Sequence, residues 1–297
     1  MDIEIFSPEF LDIIDPHPTL DNIAQGFTFA EGPVWDKRNQ QLFFVDIIGS
    51  KVWKWKPGVG KEMILNPSGH MNGMTFDLQG RLLVAGWCNR QILRFEVDGS
   101  ISTVASHYDG KKFNSPNDIV VKSDGSIYWT DSAGGLVIPG MVAQDVQRYL
   151  DFQGVFRLSP DGQIVSLAIE DCTYPNGLAF SPDEKLLYVN DTKLAQIRSF
   201  EARADGTMGP GKVFYQLSGD EDGVADGMKV DSKGNVYCTG PGGIHVISPA
   251  GQLLGKLKIH GHCTNMAWGD SDWQSLYVTT FNNVYRTRLK VAGIETW

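Results

Sequence analysis

Four side chains that carry hard oxygen atoms stand at matching positions in a phrase that recurs along the sequence. They are Glu31, Asn117, Asn176 and Asp226. Two carboxylates balance the charge of a divalent cation, and amide oxygens complete its coordination without adding charge. Oxygen ligands without His or Cys make Ca²⁺ the expected occupant, with Mg²⁺, Mn²⁺, Zn²⁺ and Fe²⁺ as alternatives. The pattern therefore predicts a divalent-metal site.

The recurring phrase has the pattern of a β-hairpin. Each copy opens with a polar residue, usually followed by Gly, and places a bulky apolar residue four positions later. A turn rich in Asp, Ser and Gly and a second apolar run follow. The six copies start at Glu31, Asn72, Asn117, Asn176, Asp226 and Thr264. Successive starts are separated by 38 (226 to 264) to 59 residues (117 to 176), a period typical of a propeller with all-β blades.

Further segments with alternating apolar and polar residues lie between the phrases. They are 51–55, 91–97, 154–160, 196–202, 243–249 and 284–290. Each is followed by a turn and a shorter β segment, which gives four strands per repeat. We therefore predict an all-β, six-bladed β-propeller of four antiparallel strands per blade, with the metal in its central channel. One domain, 1–297, is expected, and a strand within 20–30 is a candidate to complete the last blade.

The opening dipeptides have a simpler interpretation, because Asn-Gly and Asp-Gly are common turn signals. A hairpin turn, however, lies between two strands, whereas these dipeptides precede the first strand of each phrase. Thr264 departs from the pattern, and its role in the channel is open. The longest gap contains residues 132–152, which we expect to form a loop or short helix beside the channel mouth, as a lid.

Composition excludes several classes of function. The chain of 297 residues has a formal net charge of −9, which argues against a nucleic acid or an anionic membrane surface as partner. No apolar run is long enough to span a membrane, and the acidic start lacks the pattern of a secretory signal. The four cysteines have no metal-binding spacing and indicate free thiols in a reducing compartment. Cytoplasmic location is expected.

Two histidines stand two positions before a phrase start. They are His70, before Asn72, and His262, before Thr264. If the starts face a pocket, such residues form its walls, and Tyr174 holds the same position before Asn176. A hydrogen-bonded loop histidine is the alternative for each.

The phrases resemble the family of senescence marker protein, gluconolactonase and luciferin-regenerating enzyme, in its bacterial gluconolactonase-like branch. The motifs that carry the resemblance are Ala30-EGPVW, His70-MNGMTFD, Ser115-PNDIVV, Tyr174-PNGLAFSPDEKLLYVND and Ala225-DGMKVDSKGNVYCTG. The resemblance implies a six-bladed propeller whose metal is held by Glu31, Asn117, Asn176 and Asp226. Two features depart from the family: Ala225 stands where Pro is frequent, and 85–90 is atypical.

On this resemblance we expect a metal-dependent hydrolase that opens a small lactone, such as a sugar lactone. Asp226 is the candidate general base. Candidate substrate contacts are Asn72, His70, Trp129, Tyr174 and His262. A phosphotriesterase of the fluorophosphatase type, with Asp226 as nucleophile, and a non-catalytic propeller stabilised by the ion are the alternatives. A monomer or small homo-oligomer is expected.

Overall fold

The structure, a computed structural model, describes residues 1–295. Six antiparallel sheets are arranged in chain order around one axis. The innermost strand of each sheet contacts the innermost strand of the next, and the strand Cys263–Gly269 of the sixth contacts Ala30–Asp36 of the first. The ring is therefore closed, and the predicted six-bladed propeller with four antiparallel strands per blade is confirmed.

The blades have the following strands, from the channel outward. Blade 1 consists of Ala30–Asp36, Gln41–Asp46, Lys51–Lys56 and Gly60–Leu65. Blade 2 consists of Met74–Phe76, Leu82–Gly86, Gln91–Phe95 and Ile101–Ala105. Blade 3 consists of Ser115–Val121, Ile127–Ser132, Gln153–Leu158 and Val165–Cys172.

The second half of the ring repeats this order. Blade 4 consists of Pro175–Phe180, Leu186–Asp191, Gln196–Glu201 and Lys212–Gln216. Blade 5 consists of Met228–Val230, Val236–Gly240, Gly243–Ile247 and Leu253–Lys258. Blade 6 consists of Cys263–Gly269, Ser275–Thr280 and Asn283–Arg288, with Asp21–Gln25 outermost. A small hairpin pairs His107–Tyr108 with Lys111–Lys112.

The N-terminal segment ties the ring together. Asp21–Gln25 pairs with Asn283–Arg288, so a strand from the start of the chain completes the last blade and covers its edge. Asp2–Ile5 adds a fifth strand to blade 5 by pairing with Leu253–Lys258, and the 3₁₀ helix Pro8–Asp12 follows it. This fifth strand has no counterpart in the repeat and was not predicted.

The glycines of the phrase allow neighbouring blades to approach closely. A Cβ atom on Gly32, which has φ +56°, would clash with the carbonyl oxygen of Asn72. One on Gly177 would clash with the carbonyl oxygen of Asp226, which accepts a hydrogen bond of 2.9 Å from the Gly177 N–H. The glycines therefore bring the opening polar residue of each strand up against the next blade, around the channel axis.

Gly177→Ala tests this packing. The added methyl group forces blades 4 and 5 apart at Asp226, so we expect a loss of about 1–3 kcal/mol in the free energy of unfolding. We also expect Ca²⁺ affinity to fall about tenfold, which corresponds to about 1.4 kcal/mol. Gly154→Ala is the matched control, because its Cβ would clash with the Ile169 carbonyl oxygen within blade 3, away from the ring. Equal Ca²⁺ affinity in the two variants, measured by calorimetry, would contradict the account.

Residues 132–152 contact side chains of blades 2 and 3. A 3₁₀ turn spans Gly134–Leu136, and the chain from 137 to 152 has turns and irregular structure instead of the helix that its spacing allowed. Side chains of blade 2 bind the carbonyl oxygens that a helix would need. Trp87 Nε1 donates to Met141 O at 2.9 Å, and Arg90 Nη1 donates to Asp145 O at 2.9 Å and to Gln147 O at 3.0 Å.

Candidate metal centre

The four predicted ligands all lie at the start of an inner strand, or just before it, and all are buried. The exposed fraction is 2% for Glu31, 4% for Asn117, 6% for Asn176 and 8% for Asp226. In blade 1, the pairing of the inner strand Ala30–Asp36 with the second strand Gln41–Asp46 is irregular between Glu31 and Val34. The inner strands of blades 3 and 4 show the same irregularity at their starts. The opening side chains are thereby turned out of the regular sheet pattern.

Direct contacts join these residues to each other and to neighbouring amides. The side-chain amide of Asn176 hydrogen-bonds the Asp226 carboxyl and donates to Thr192 Oγ1 at 3.1 Å. Asn72 Nδ2 donates to Asn117 Oδ1 at 3.2 Å. The Glu31 carboxylate accepts hydrogen bonds from the N–H of Gly32 and from the side-chain amide of Asn265.

The two carboxylates repel each other. Burial raises the pKa of Glu31 well above its ordinary value, and the charges of Asp226 and Asp118 raise it further. Burial also raises the pKa of Asp226 to about 7, where the hydrogen bond from Asn176 opposes the shift and Asp118 adds to it. Within residues 1–295, neither carboxyl has a cationic side chain among the groups that shift its pKa. A pair of buried, like-charged groups is costly unless a cation compensates them.

The donor set fits a divalent cation. No group of three or more His, Cys, Asp and Glu side chains in residues 1–295 is placed to hold a metal, so a site here depends on amide oxygens beside Glu31 and Asp226. Asn72 Oδ1 is buried without a hydrogen-bond partner, although its Nδ2 donates to Asn117. Carboxylate and amide oxygens are the ligands that Ca²⁺ and Mg²⁺ prefer, and a buried amide oxygen without a hydrogen-bond partner is free to bind a cation.

Sequence reasoning missed Asn265, which is a member of the ring. Its Nδ2 donates to Glu31 Oε2 at 2.9 Å. Thr264, which was aligned with the other phrase starts, has its hydroxyl committed elsewhere, because Oγ1 donates to Ala30 O at 2.7 Å and is 2.8 Å from Thr279 Oγ1. Thr264 thus links blade 6 to blade 1. The sequence contained a signal for the role of Asn265, because a polar amide stands there at the position where most of the other phrases have Gly.

Asp118 and Lys229 were also missed. Asp118 follows Asn117 and likewise replaces the glycine of the phrase. Its Oδ2 lies 3.3 Å from Lys229 Nζ, and 3% of its side chain is exposed. Because Asp118 belongs to blade 3 and Lys229 to blade 5, this ion pair crosses the channel.

Residues of the 132–152 segment and the side chains that they contact form one side of the channel mouth. Burial raises the pKa of the Tyr174 phenol to about 12, and the nearby Ser132 side chain opposes this shift. A Cβ on Gly134 would clash with both Tyr174 Oη and the Trp87 ring. Gly135 N–H donates to Ser115 Oγ at 2.9 Å. Tyr174 and Ser115 each stand two residues before a predicted ligand, so the segment lies against this side of the mouth.

An aromatic row lies on the other side of the mouth. The His262 ring stacks on Phe281 with 4.5 Å between ring centroids and an interplanar angle of 11°. Phe281 in turn packs against Phe29 at 4.7 Å. Burial lowers the pKa of His262, which keeps the ring neutral at neutral pH. Phe29 stands two residues before Glu31, so the row borders the ring at blades 6 and 1.

His70 lies in a different environment. Its Nδ1 is 2.7 Å from Ile47 O, and it lines a cavity of about 530 Å³ together with Cys88 and Lys112. The described lining of this cavity includes none of the four predicted metal ligands. A substrate contact by His70 stays a prediction.

Trp129 does not face the channel, and its prediction as a substrate contact is wrong. The side chain is fully buried and packs in the core with Phe113 and Phe156. The aromatic residues of the second strand face between blades, because alternation in a strand sends Trp129 and Thr130 to opposite sides. Thr130 Oγ1 is the member that contacts the ring, where it accepts from the Asp118 N–H at 3.0 Å.

The chain resembles known proteins over almost its whole length. The model of the family described as SMP-30/Gluconolactonase/LRE-like region matches residues 29–282. This chain belongs to that family. The matched range includes all four predicted ligands and both walls of the mouth. No helix within residues 1–295 has the length and apolar character needed to cross a membrane. The four cysteines are free.

Three relatives within the SMP-30/gluconolactonase/LRE-like family show how far the likeness extends. A gluconolactonase of Zymomonas mobilis is 33% identical over 97% of this chain and 86% of its own length. A pentonolactonase of Haloferax volcanii is 26% identical over 84% of this chain and 81% of its own length. A solved structure of a gluconolactonase from Xanthomonas campestris has a TM-score of 0.91 and 31% identity, and covers 97% of this chain and 95% of that one.

Proposed function

We propose that this protein hydrolyses a small sugar lactone with the help of one divalent cation, most suitably Ca²⁺. The observation that carries the proposal is the pair of buried carboxylates, Glu31 and Asp226. Within residues 1–295 no cationic side chain is among the groups that shift their pKa values, and the buried Asn72 Oδ1 of the same ring has no hydrogen-bond partner. The similarity to a gluconolactonase and a pentonolactonase supports the substrate class. Glu31, Asn117, Asn176 and Asp226 would hold the ion.

In the proposed hydrolysis, the cation and Asp226 have different roles. When bound, the cation supplies Lewis-acid polarisation of the lactone carbonyl and lowers the pKa of a water molecule. Asp226 acts as the general base and takes the proton of the attacking water. Its position is fixed from two sides, because Asn176 hydrogen-bonds the carboxyl and the Asp226 N–H donates to Thr239 Oγ1 at 2.9 Å.

The walls of the mouth suit a sugar ring. Asn72 and Tyr174 offer polar groups to substrate hydroxyls, and the protonated Tyr174 phenol is a donor at neutral pH. His262 and Phe281 form a flat apolar surface on the opposite side. Phe281 is 36% exposed, so part of its ring is accessible to the apolar C–H groups of a lactone.

Phe281→Ala tests this surface. Loss of one aromatic contact is expected to raise KM for a sugar lactone about 3- to 10-fold, since such contacts contribute about 0.5–1.5 kcal/mol. We expect kcat to change little, because Phe281 would contact the bound substrate without taking part in proton transfer. Phe281→Trp is the matched control and should keep KM near that of the parent protein. An unchanged KM in the alanine variant would remove Phe281 from the substrate site.

The function is tested by measuring acid release from gluconolactone and a pentonolactone, with Ca²⁺ and with EDTA, against spontaneous hydrolysis at the same pH. We expect acceleration only with the metal. The proposal fails if neither lactone opens faster than in buffer. Faster turnover of a phosphotriester would favour the fluorophosphatase alternative, and lactone binding without turnover would favour a binding propeller. In ¹⁸O-water, a single turnover should put the label directly into product, whereas label in the protein would make Asp226 a nucleophile.

A further inference from the structure

We propose that Lys229 is an internal counter-ion that matches the proposed metal site to divalent rather than trivalent cations. This inference depends on the proposed site but not on any catalytic activity. Lys229 belongs to the inner strand Met228–Val230 of blade 5, and 20% of its side chain is exposed. Nothing in the repeat pattern requires a cation here, because the same position in the other phrases carries Val, Thr or Ala.

The contacts of Lys229 place its ammonium group beneath the ring. Nζ lies 3.3 Å from Asp118 Oδ2, donates to Met228 O at 3.0 Å and lies 3.4 Å from Asn265 Oδ1. The same Asn265 donates through Nδ2 to Glu31 Oε2. A single amide therefore separates the ammonium group from a proposed metal ligand, and the ammonium spans from blade 5 to blades 3 and 6.

The positive charge of Lys229 changes the net charge around the proposed metal site. Asp118 is near enough to act on both Glu31 and Asp226, so three carboxylates share this part of the channel. With Lys229 included, the formal charge is −2, which a divalent cation neutralises. Without the ammonium group the formal charge is −3, which favours a trivalent cation of similar radius, since Coulomb attraction rises with the product of the charges.

Lys229→Met removes the ammonium group and keeps most of the side-chain volume, although it leaves Asp118 without its ion-pair partner. Lys229 lines a cavity of about 570 Å³ whose other lining residues include Val34, Phe180, Val230 and Trp268. A methionine of similar length would meet apolar neighbours there. Lys122 lines the same cavity but pairs with Glu184 at 3.2 Å and with Asp124 at 3.5 Å. Lys122→Met is therefore the matched control for loss of a positive charge in this cavity.

The experiment measures Ca²⁺ and Tb³⁺ binding by calorimetry in the intact protein, without substrate. We expect Lys229→Met to bind Ca²⁺ about tenfold more tightly and to shift the preference for Tb³⁺ over Ca²⁺ by a further tenfold or more. Lys122→Met should match the parent protein. Asp118→Asn combined with Lys229→Met restores the formal charge of −2 and should return the Tb³⁺ preference to within about threefold of the parent value.

The outcomes separate this inference from the proposed function. Parent-like Ca²⁺ and Tb³⁺ affinities in a folded Lys229→Met protein overturn it, as does the same shift in Lys122→Met. If Lys229→Met fails to fold, the double variant decides, because a preference for Tb³⁺ well above the parent value in that protein contradicts the charge argument. Binding of neither ion by any variant overturns the inference together with the metal site. Loss of lactone hydrolysis alone leaves both standing.

Discussion

Asp226→Asn is expected to lower kcat for lactone hydrolysis by about 10²–10⁴-fold, the usual contribution of a positioned general base. Asparagine has the shape of aspartate and keeps an oxygen for the cation, but it cannot accept the proton of an attacking water. Asn176, which hydrogen-bonds the carboxyl, can donate to the amide oxygen as well. The variant should therefore still bind Ca²⁺, although more weakly because one negative charge is lost.

The measurement is kcat at saturating lactone and saturating Ca²⁺, with spontaneous hydrolysis subtracted and Ca²⁺ binding followed by calorimetry. Glu221→Gln is the control, because it removes a carboxylate that is 44% exposed and paired with Lys258. That variant should keep parent activity. Full activity in Asp226→Asn would show that another group accepts the proton, whereas a complete loss of Ca²⁺ binding would make Asp226 indispensable as a ligand.

Removal of the metal is expected to change how stability depends on pH. In the metal-free protein the folded-state pKa values of Glu31 and Asp226 are raised, to about 7 for Asp226. Between about pH 4.5 and 7 the folded chain therefore holds protons that the unfolded chain has released. Stability must then fall as pH rises through this range, by up to about 1.4 kcal/mol per pH unit for each such proton.

Ca²⁺ should abolish this part of the slope. In the loaded protein both carboxyls are ionised, and the ligand adds free energy that grows with its concentration. We expect urea unfolding with EDTA to give about 1–3 kcal/mol less stability at pH 7.5 than at pH 5.5, and saturating Ca²⁺ to remove most of that difference. Asp131, whose pKa burial also raises to about 7, contributes equally with and without Ca²⁺. Identical slopes in the two conditions would contradict coupled carboxylates at the ion site.

The ring could be predicted from the sequence because the recurring phrase contains two residue types that the ring requires. A polar opening residue is needed where six strands meet at one axis, and a following glycine is needed where Gly177 and its counterparts touch the next blade. The sequence left the role of Thr264 open, and in the structure its hydroxyl links blade 6 to Ala30, whereas the amide that contacts Glu31 comes from Asn265.

Other features depend on contacts between distant segments, which a repeat pattern does not contain. Lys229 pairs with Asp118 across the channel, more than a hundred positions away in sequence, and only closure of the ring brings them together. Trp129 was predicted as a substrate contact, but its side chain packs into the core with Phe156. The irregular course of 137–152 follows from hydrogen bonds donated by Trp87 and Arg90.

The central claim, that four oxygen-bearing side chains from separate blades hold one cation on the propeller axis, is tested most directly by diffraction from crystals grown with Ca²⁺. Anomalous scattering at long wavelength locates the ion independently of the protein atoms. We expect one peak about 2.3–2.6 Å from side-chain oxygens of Glu31, Asn117, Asn176 and Asp226. A fully occupied Ca²⁺ peak elsewhere, or none at this position with Ca²⁺ in excess, would contradict the account.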